Sequence, residues 1–307
     1  IRQKTGPLTM RRAFELLRAA RFAAPLSCEA ALAQVSRQSG LQLNKARARS
    51  GFGRGHLLDI VVYVPGGKGT PDETDAAEAL VRLLVGEELF ERWVGRVSAT
   101  PTVRGGALTV LNTNAEERSA LPIETLPETL RAAIAGLKQG LPEAVEAHAA
   151  NEDWVLFELE PEPAADFAAQ DDLVVCSTRV PELKKCFLRG ESFFSGRFAN
   201  SNVLYAYLKY DSLAGGTEAR LAERARFEDA FSRAVRPEQA ALVGLGLGVR
   251  YSYIDLAVSN FDCIGEQLLP ALRAAEISQR AWILFCDSEL EREHVPVHSD
   301  SPEPYWG

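Results

Sequence analysis

Val203-Leu204-Tyr205-Ala206-Tyr207-Leu208-Lys209-Tyr210 alternates two kinds of side chain with a period of two. That period belongs to a β-strand, whose successive side chains point to opposite faces. Leu204, Ala206 and Leu208 fall on one face, Tyr205, Tyr207 and Lys209 on the other. The stretch Arg250–Val258 repeats the pattern, setting Ile254, Leu256 and Val258 against Tyr251, Tyr253 and Asp255. Between these strands, Gly215-Gly216-Thr217-Glu218 opens a helix through Ala222, Phe227 and Phe231. Ala241–Leu247 then supplies a strand that turns back into the second tyrosine-bearing one. A helix over Ile264–Ala275 and a strand over Ala281–Cys286 complete a β-α-β-β-α-β order. This order predicts a ferredoxin-like unit over residues 201–292. In such a unit the first and third strands are central neighbours, and both helices cover the same face.

The preceding part of the chain suggests the same order over residues 57–162. Leu57–Val64 has Leu58, Ile60, Val62 and Val64 on one face. Thr70-Pro71-Asp72-Glu73 combines an N-cap threonine, a proline at the first helical position and a glutamate two further on, which is a capping box. Strands are expected at Gly95–Thr102 and Leu108–Leu111, a helix at Leu126–Leu137 and a last strand at Trp154–Leu159. Leu130-Arg131-Ala132-Ala133 is echoed by Leu272-Arg273-Ala274-Ala275, and Trp154-Val155-Leu156-Phe157 by Trp282-Ile283-Leu284-Phe285. The expected fold is therefore α+β, two tandem ferredoxin-like units behind a basic, partly helical N-terminal arm over residues 1–56. A connector over 163–200 carries a strand at Leu173–Cys176, a helix at Pro181–Leu188 and anchoring rings at Phe193, Phe194 and Phe198. The polar tail, 293–307, is expected to fray.

With 307 residues, 46% hydrophobic and 25% charged, the chain lies within the range of globular domains. No window approaches a bilayer-spanning apolar run, and no secretory leader is visible, so no membrane partner is expected. Five cysteines without a CxxC pair suggest neither a disulfide framework nor a zinc ribbon; a reducing, cytoplasmic setting follows. Met10 is the sole methionine, which makes Ile1–Thr9 resemble an upstream extension. The net charge of −8 is unevenly spread. Residues 1–56 hold eleven Lys/Arg against two acids, whereas 57–162 hold 8 bases and 19 acids. Arg11, Arg12, Arg18 and Arg21, then Lys45, Arg47, Arg49 and Arg54, give the arm its charge. Such an arm either folds back on the acidic part of its own chain or holds nucleic acid. Residues 45–55 are expected to form a flexible basic loop.

Candidate chemistry is sparse. Gly66-Gly67-Lys68-Gly69-Thr70 lacks the GxxxxGK[ST] spacing, and the acids at Asp72, Glu73 and Asp75 would repel a phosphate. Gly244-Leu245-Gly246-Leu247-Gly248 precedes a strand, so no helix N-terminus could receive a dinucleotide. His294 and His298 flank Pro296 in the tail and are not assigned to a metal. No nucleophile is tied to a base by spacing, so no catalytic residue and no cofactor is assigned. What remains is the face bearing Tyr205, Tyr207, Tyr251 and Tyr253. Tyrosines there suit a partly wet interface with the first unit, the connector or a second copy of the chain. They also sit where RNA-recognition modules stack bases, although the Gly-aromatic-Gly/Ala-Phe pattern of that family is absent. The sequence thus points to a non-enzymatic interaction protein, in one form a regulator or inhibitor of a basic protein partner. The alternatives are a nucleic-acid binder using the arm and the tyrosine face, and an enzyme or small-ligand binder with a cleft between the units.

Overall fold

The computed structural model describes residues 22–41, 43–102, 119–142, 153–200, 203–212 and 215–307. These contain seven α-helices and two sheets, an α+β architecture. The chain divides into two compact units, one over Ala19–Gly140 and one built on Leu141–Gly307. No helix among the described residues is long and apolar enough to cross a membrane.

In the N-terminal unit, α1 (Cys28–Ser39) starts where Ser27 caps it, its hydroxyl accepting from the Ala30 N–H at 3.3 Å. It stops at Gly40, whose φ of 71° few other residues adopt. Strand β1 (Arg47–Phe52) runs antiparallel to β2 (Leu58–Val64). Helix α2 (Pro71–Val85) follows with the expected capping box and buries Ala77, Leu80 and Val81. Helix α3 (Glu87–Trp93) leads into β3 (Val94–Pro101), which pairs parallel with β2, as the intervening helices permit. Strand β4 (Leu121–Pro122) and α4 (Leu126–Gln139) close the unit, giving a sheet ordered β3-β2-β1-β4. Within the expected loop over 45–55, Arg47–Phe52 is thus a strand, and β1 lies between β2 and β4. The expected strand at 108–111 lies outside the described residues.

The C-terminal unit is a seven-stranded sheet in which every neighbouring pair is antiparallel. Its elements are β5 (Val155–Glu158), β6 (Leu173–Thr178), α5 (Pro181–Leu188), β7 (Leu204–Asp211), α6 (Thr217–Ala234), β8 (Ala240–Gly248), β9 (Tyr251–Val258), α7 (Leu269–Ala274), β10 (Ala281–Phe285) and β11 (His294–Pro296). The order is β11-β10-β7-β9-β8-β6-β5. Strands β7 to β10 therefore lie as fourth, first, third, second, the arrangement of a single β-α-β-β-α-β core. Ala206, Leu208, Ile254, Leu256 and Val258 pack beneath α6 and α7 with Phe227, Phe231 and Leu272. Each large apolar side chain so buried contributes about 1.5–3 kcal/mol.

The tandem arrangement is not seen. The N-terminal sheet has another order and contains a parallel pair. The strand expected to finish the first unit is β5, which pairs with β6 at the edge of the other sheet. The two tryptophan-led echoes occupy unlike places, β5 at that edge and β10 inside the same sheet. Nor is the tail frayed. Strand β11 pairs with β10, Val297 is fully buried, and the Trp282 indole donates to the Pro302 carbonyl at 2.6 Å.

Candidate functional site

The tyrosine face is covered. Tyr205 and Tyr253 are fully buried, and Tyr251 and Tyr207 are 1% and 6% exposed. Residues between Phe167 and Ala199 lie over them. Val180, Leu183, Cys186, Phe193 and Phe198 pack with Tyr205, while Phe167, Leu173 and Cys176 pack with Tyr207, Tyr251, Tyr253 and Trp282. Phe193 meets Tyr205 edge-on at 5.7 Å between ring centres, and Tyr251 meets Trp282 at 6.2 Å. The cover is thus the connector, and no open platform for stacking bases remains at these four rings.

A polar network runs through this second core. Helix α5 drives Lys184 down to Asp255 on β9, 2.9 Å apart and each 1% exposed. Gln170 bridges them, accepting from the Lys184 ammonium at 2.5 Å and donating to the Asp255 carboxylate at 2.9 Å. The Asp172 carboxylate accepts from the Arg250 and Tyr251 N–H groups at 2.8 Å each, and from the Tyr253 hydroxyl. Lys209 donates to the Phe167 carbonyl at 2.5 Å and lies 4.2 Å from the Tyr251 ring centre. Burial lowers the Lys209 pKa to about 8 against the pull of Asp172, Asp166 and Asp171. Removing one partner of such a buried pair strands the other charge and costs roughly 3–5 kcal/mol.

The glycine run of β8 finds its reason here. Gly244, Gly246 and Gly248 alternate onto the connector-covered face. A Cβ at 244 would stand 2.2 Å from Asp255 Oδ2, one at 246 would stand 2.6 Å from Leu173 Cδ2, and one at 248 would stand 2.3 Å from Asp172 Oδ1. The run therefore makes room for two buried carboxylates and a leucine.

Two features remain open to solvent. A cavity of about 470 Å³ lies among α5, the 190–193 loop, β7 and the end of β10; Leu183, Phe193, Tyr207 and Cys286 help to line it. The loop is pinned to residues 287–288, since the Phe193 N–H donates to Ser288 Oγ at 2.9 Å and the Ser195 N–H to Asp287 at 2.8 Å. The second feature is the sheet edge. Strand β5 pairs with β6 alone among the described residues. Trp154 is 40% exposed, Leu156 62%, and Val174 on β6 42%. Asp153, Glu158, Glu160 and Glu162 are exposed around them. Arg179 lies 4.7 Å from the Trp154 ring centre. Phe157, pointing the other way, packs on the core of Tyr207 and Tyr253 and ties the edge to the network.

Four of the eight basic residues singled out in the sequence are among the described residues. Arg11, Arg12, Arg18 and Arg21 lie outside the described residues. Arg47 and Arg49 sit on β1, where the Arg47 guanidinium donates to the Ala120 carbonyl. Lys45 occupies a turn with φ of 72°, and Arg54 is exposed in a short helical turn. In the glycine loop before α2, the Glu73 carboxylate takes the N–H groups of Lys68 at 2.9 Å and Gly69 at 2.6 Å. The protein's own anion fills the place a phosphate would take. His298 meets the Ile277 carbonyl at 3.1 Å and His294 faces the Trp306 ring. Among the described residues no cluster of His, Cys, Asp or Glu forms a metal site. All five cysteines are free thiols.

The sequence placed Lys209 and Asp255 on the tyrosine face but missed Lys184, Gln170 and Asp172, which complete the network. The signal for the edge was present in the acids alternating around Trp154–Leu159. Comparison with models of protein families, with curated proteins and with solved structures gives no match.

Proposed function

We propose that this chain is a non-catalytic interaction protein that takes a basic partner segment onto the open edge of its C-terminal sheet. The β5 edge, which pairs with β6 alone among the described residues, carries the reading. An unpaired edge with apolar side chains is a template for a further strand, which natural sheets usually blunt with lysine, proline or a covering element. Here Trp154, Leu156 and Val174 are left exposed instead. The surrounding carboxylates select the charge of the added strand, because lysines or arginines flanking its apolar residues would meet Asp153, Glu158, Glu160 and Glu162. The β7–β10 core, taken as a ferredoxin-like unit, is the rigid frame that presents this edge. Free thiols throughout suit a reducing compartment, in keeping with a cytoplasmic protein. The nucleic-acid alternative would have to rest on the basic residues alone, since the four tyrosines are covered.

The test uses two short peptides, one alternating lysine with valine and one alternating glutamate with valine, in polarisation titrations. The lysine peptide should bind saturably and weaken with salt. Leu156→Lys places a like charge on the edge and should weaken that binding about tenfold, equivalent to ~1.4 kcal/mol. Its melting temperature should not move, because Leu156 is largely exposed. Equal binding of both peptides, or an unaffected Leu156→Lys variant, would refute the reading.

A further inference from the structure

The cavity beside α5 carries an inference independent of the sheet edge. Its body is apolar, formed by Leu183, Phe187, Phe193 and Phe285. Its volume, about 470 Å³, is that of a small-molecule site. Two observations give it chemical direction. Tyr207 lines it and is 6% exposed, yet its hydroxyl makes no hydrogen bond among the described residues. Its neighbours on the same sheet face are satisfied, Tyr251 by Asp166 at 2.6 Å and Tyr253 by Asp172. The hydroxyl opens into the cavity and is not a sealed, unsatisfied atom, so a ligand acceptor facing it would take its proton in place of solvent. The second observation is charge: the lining contains two charged side chains, Glu191 and Glu291, and both are carboxylates. Glu291 is exposed and Glu191 half-buried, which puts them toward solvent, while Tyr207 is at the enclosed end. Arg189 approaches Glu191 only at 3.9 Å.

We infer that this cavity binds a small aromatic amine carrying a hydrogen-bond acceptor at the end remote from its ammonium group. The ammonium lies between Glu191 and Glu291 at the mouth. The ring lies among Phe187, Phe193 and Phe285, whose faces also attract a cation approaching them. The acceptor takes the Tyr207 proton. Burial, and after it Cys286, Asp255 and Asp171, raise the Tyr207 pKa well above its ordinary value, so the phenol keeps that proton to donate.

Calorimetric titration of the full chain with three probes tests this. 4-Methoxyphenethylamine has both ends of the expected ligand, 4-ethylphenethylamine lacks the acceptor, and 3-(4-methoxyphenyl)propanoate inverts the charge. The methoxy amine should bind saturably, and the propanoate about tenfold or more weaker. Tyr207→Phe keeps the ring packed against Tyr253 and removes a hydroxyl with no protein partner, so the melting temperature should hold. It should weaken the methoxy amine about five- to tenfold and leave the ethyl amine within about twofold. Glu191→Gln with Glu291→Gln should weaken both amines, and Leu156→Lys should affect neither. No saturable amine binding, equal affinity for the propanoate, or a methoxy amine indifferent to Tyr207→Phe would each overturn the assignment.

Discussion

Lys209 is 1% exposed, held between the Phe167 carbonyl and the Tyr251 ring, and burial brings its pKa from 10.5 to about 8. Below pH 8 both folded and unfolded chains carry the proton, and the cost of burying the charge is present in full. Between 8 and 10.5 the unfolded chain binds a proton that the folded chain does not, so stability rises with pH in that window. Tyr205, Tyr207 and Tyr253, raised above the ordinary 10, act with the opposite sign above pH 10 and close the window there. Urea unfolding at pH 8 and pH 10 should show the wild type gaining about 2 kcal/mol relative to Lys209→Met. A constant difference between the two proteins would mean that Lys209 titrates normally. The polar character of the tyrosine face was legible in Lys209 and Asp255, both set in apolar strands. Lys184 was not, because it reaches Asp255 from a helix 71 residues earlier, and only packing decides that contact. The period of Gly244, Gly246 and Gly248 was equally visible, while the carboxylates that need the space come from another strand and from the connector.

At the scale of elements, caps were legible and strand partners were not. Ser27 and Thr70 cap α1 and α2 as their residue types require, because a cap is a local contract between a side chain and the next turn of backbone. Strand β1 escaped notice because Arg47-Ala48-Arg49-Ser50 offers little apolar periodicity. Its pairing with β2 and β4 overrides its composition. That central place also means that removing residues 1–50 would take out most of a sheet strand and not a detachable arm. Glu73 shows how much a cap can carry. The Lys68 N–H first, opposed by burial and aided by the N–H groups of Gly69 and Thr70 and the Lys68 charge, holds its carboxyl below the ordinary value. With its folded pKa lowered, Glu73 contributes stability above its unfolded value of 4.5, and loses it as pH falls through the folded value. Glu73→Gln should therefore cost about 1.5–3 kcal/mol at pH 7, the range for hydrogen bonds to a charged group. It should also flatten the fall of melting temperature as pH drops below the unfolded value of 4.5. An unchanged melting temperature at pH 7 would show that the loop holds its shape without the carboxylate.

For the whole molecule, the expected duplication failed because each short echo was consistent with several partners. A tryptophan-led strand says that it is a strand, not which sheet it joins. The β-α-β-β-α-β order was legible only where all four strands are consecutive and apolar on the helix side, over 204–285. The flanking strands β5, β6 and β11 extend that core through pairings made at long range. Among the described residues, the cover of the C-terminal sheet then comes from its own part of the chain. Helices α6 and α7 pack on one face, residues between 167 and 199 on the other, and the tail runs along β10. Its buried ion pair, Lys184 with Asp255, and its buried carboxylate Asp172 likewise find their partners within 166–255. A fragment of residues 141–307 should therefore fold without the rest, within the size at which single domains bury a sufficient core. The expected result is a single cooperative urea transition, with a near-ultraviolet dichroism spectrum showing Trp282 and the tyrosines in fixed surroundings. Shortening the fragment to 141–292 removes Val297 and the Pro302 carbonyl that accepts the Trp282 indole N–H. It also bares the outer edge of β10, so both the transition midpoint and the near-ultraviolet signal should fall. Were 141–307 to lack fixed tertiary signal, its stability would have to come from the N-terminal unit. Were 141–292 to match it, the tail would be an ornament on β10 and not part of the core.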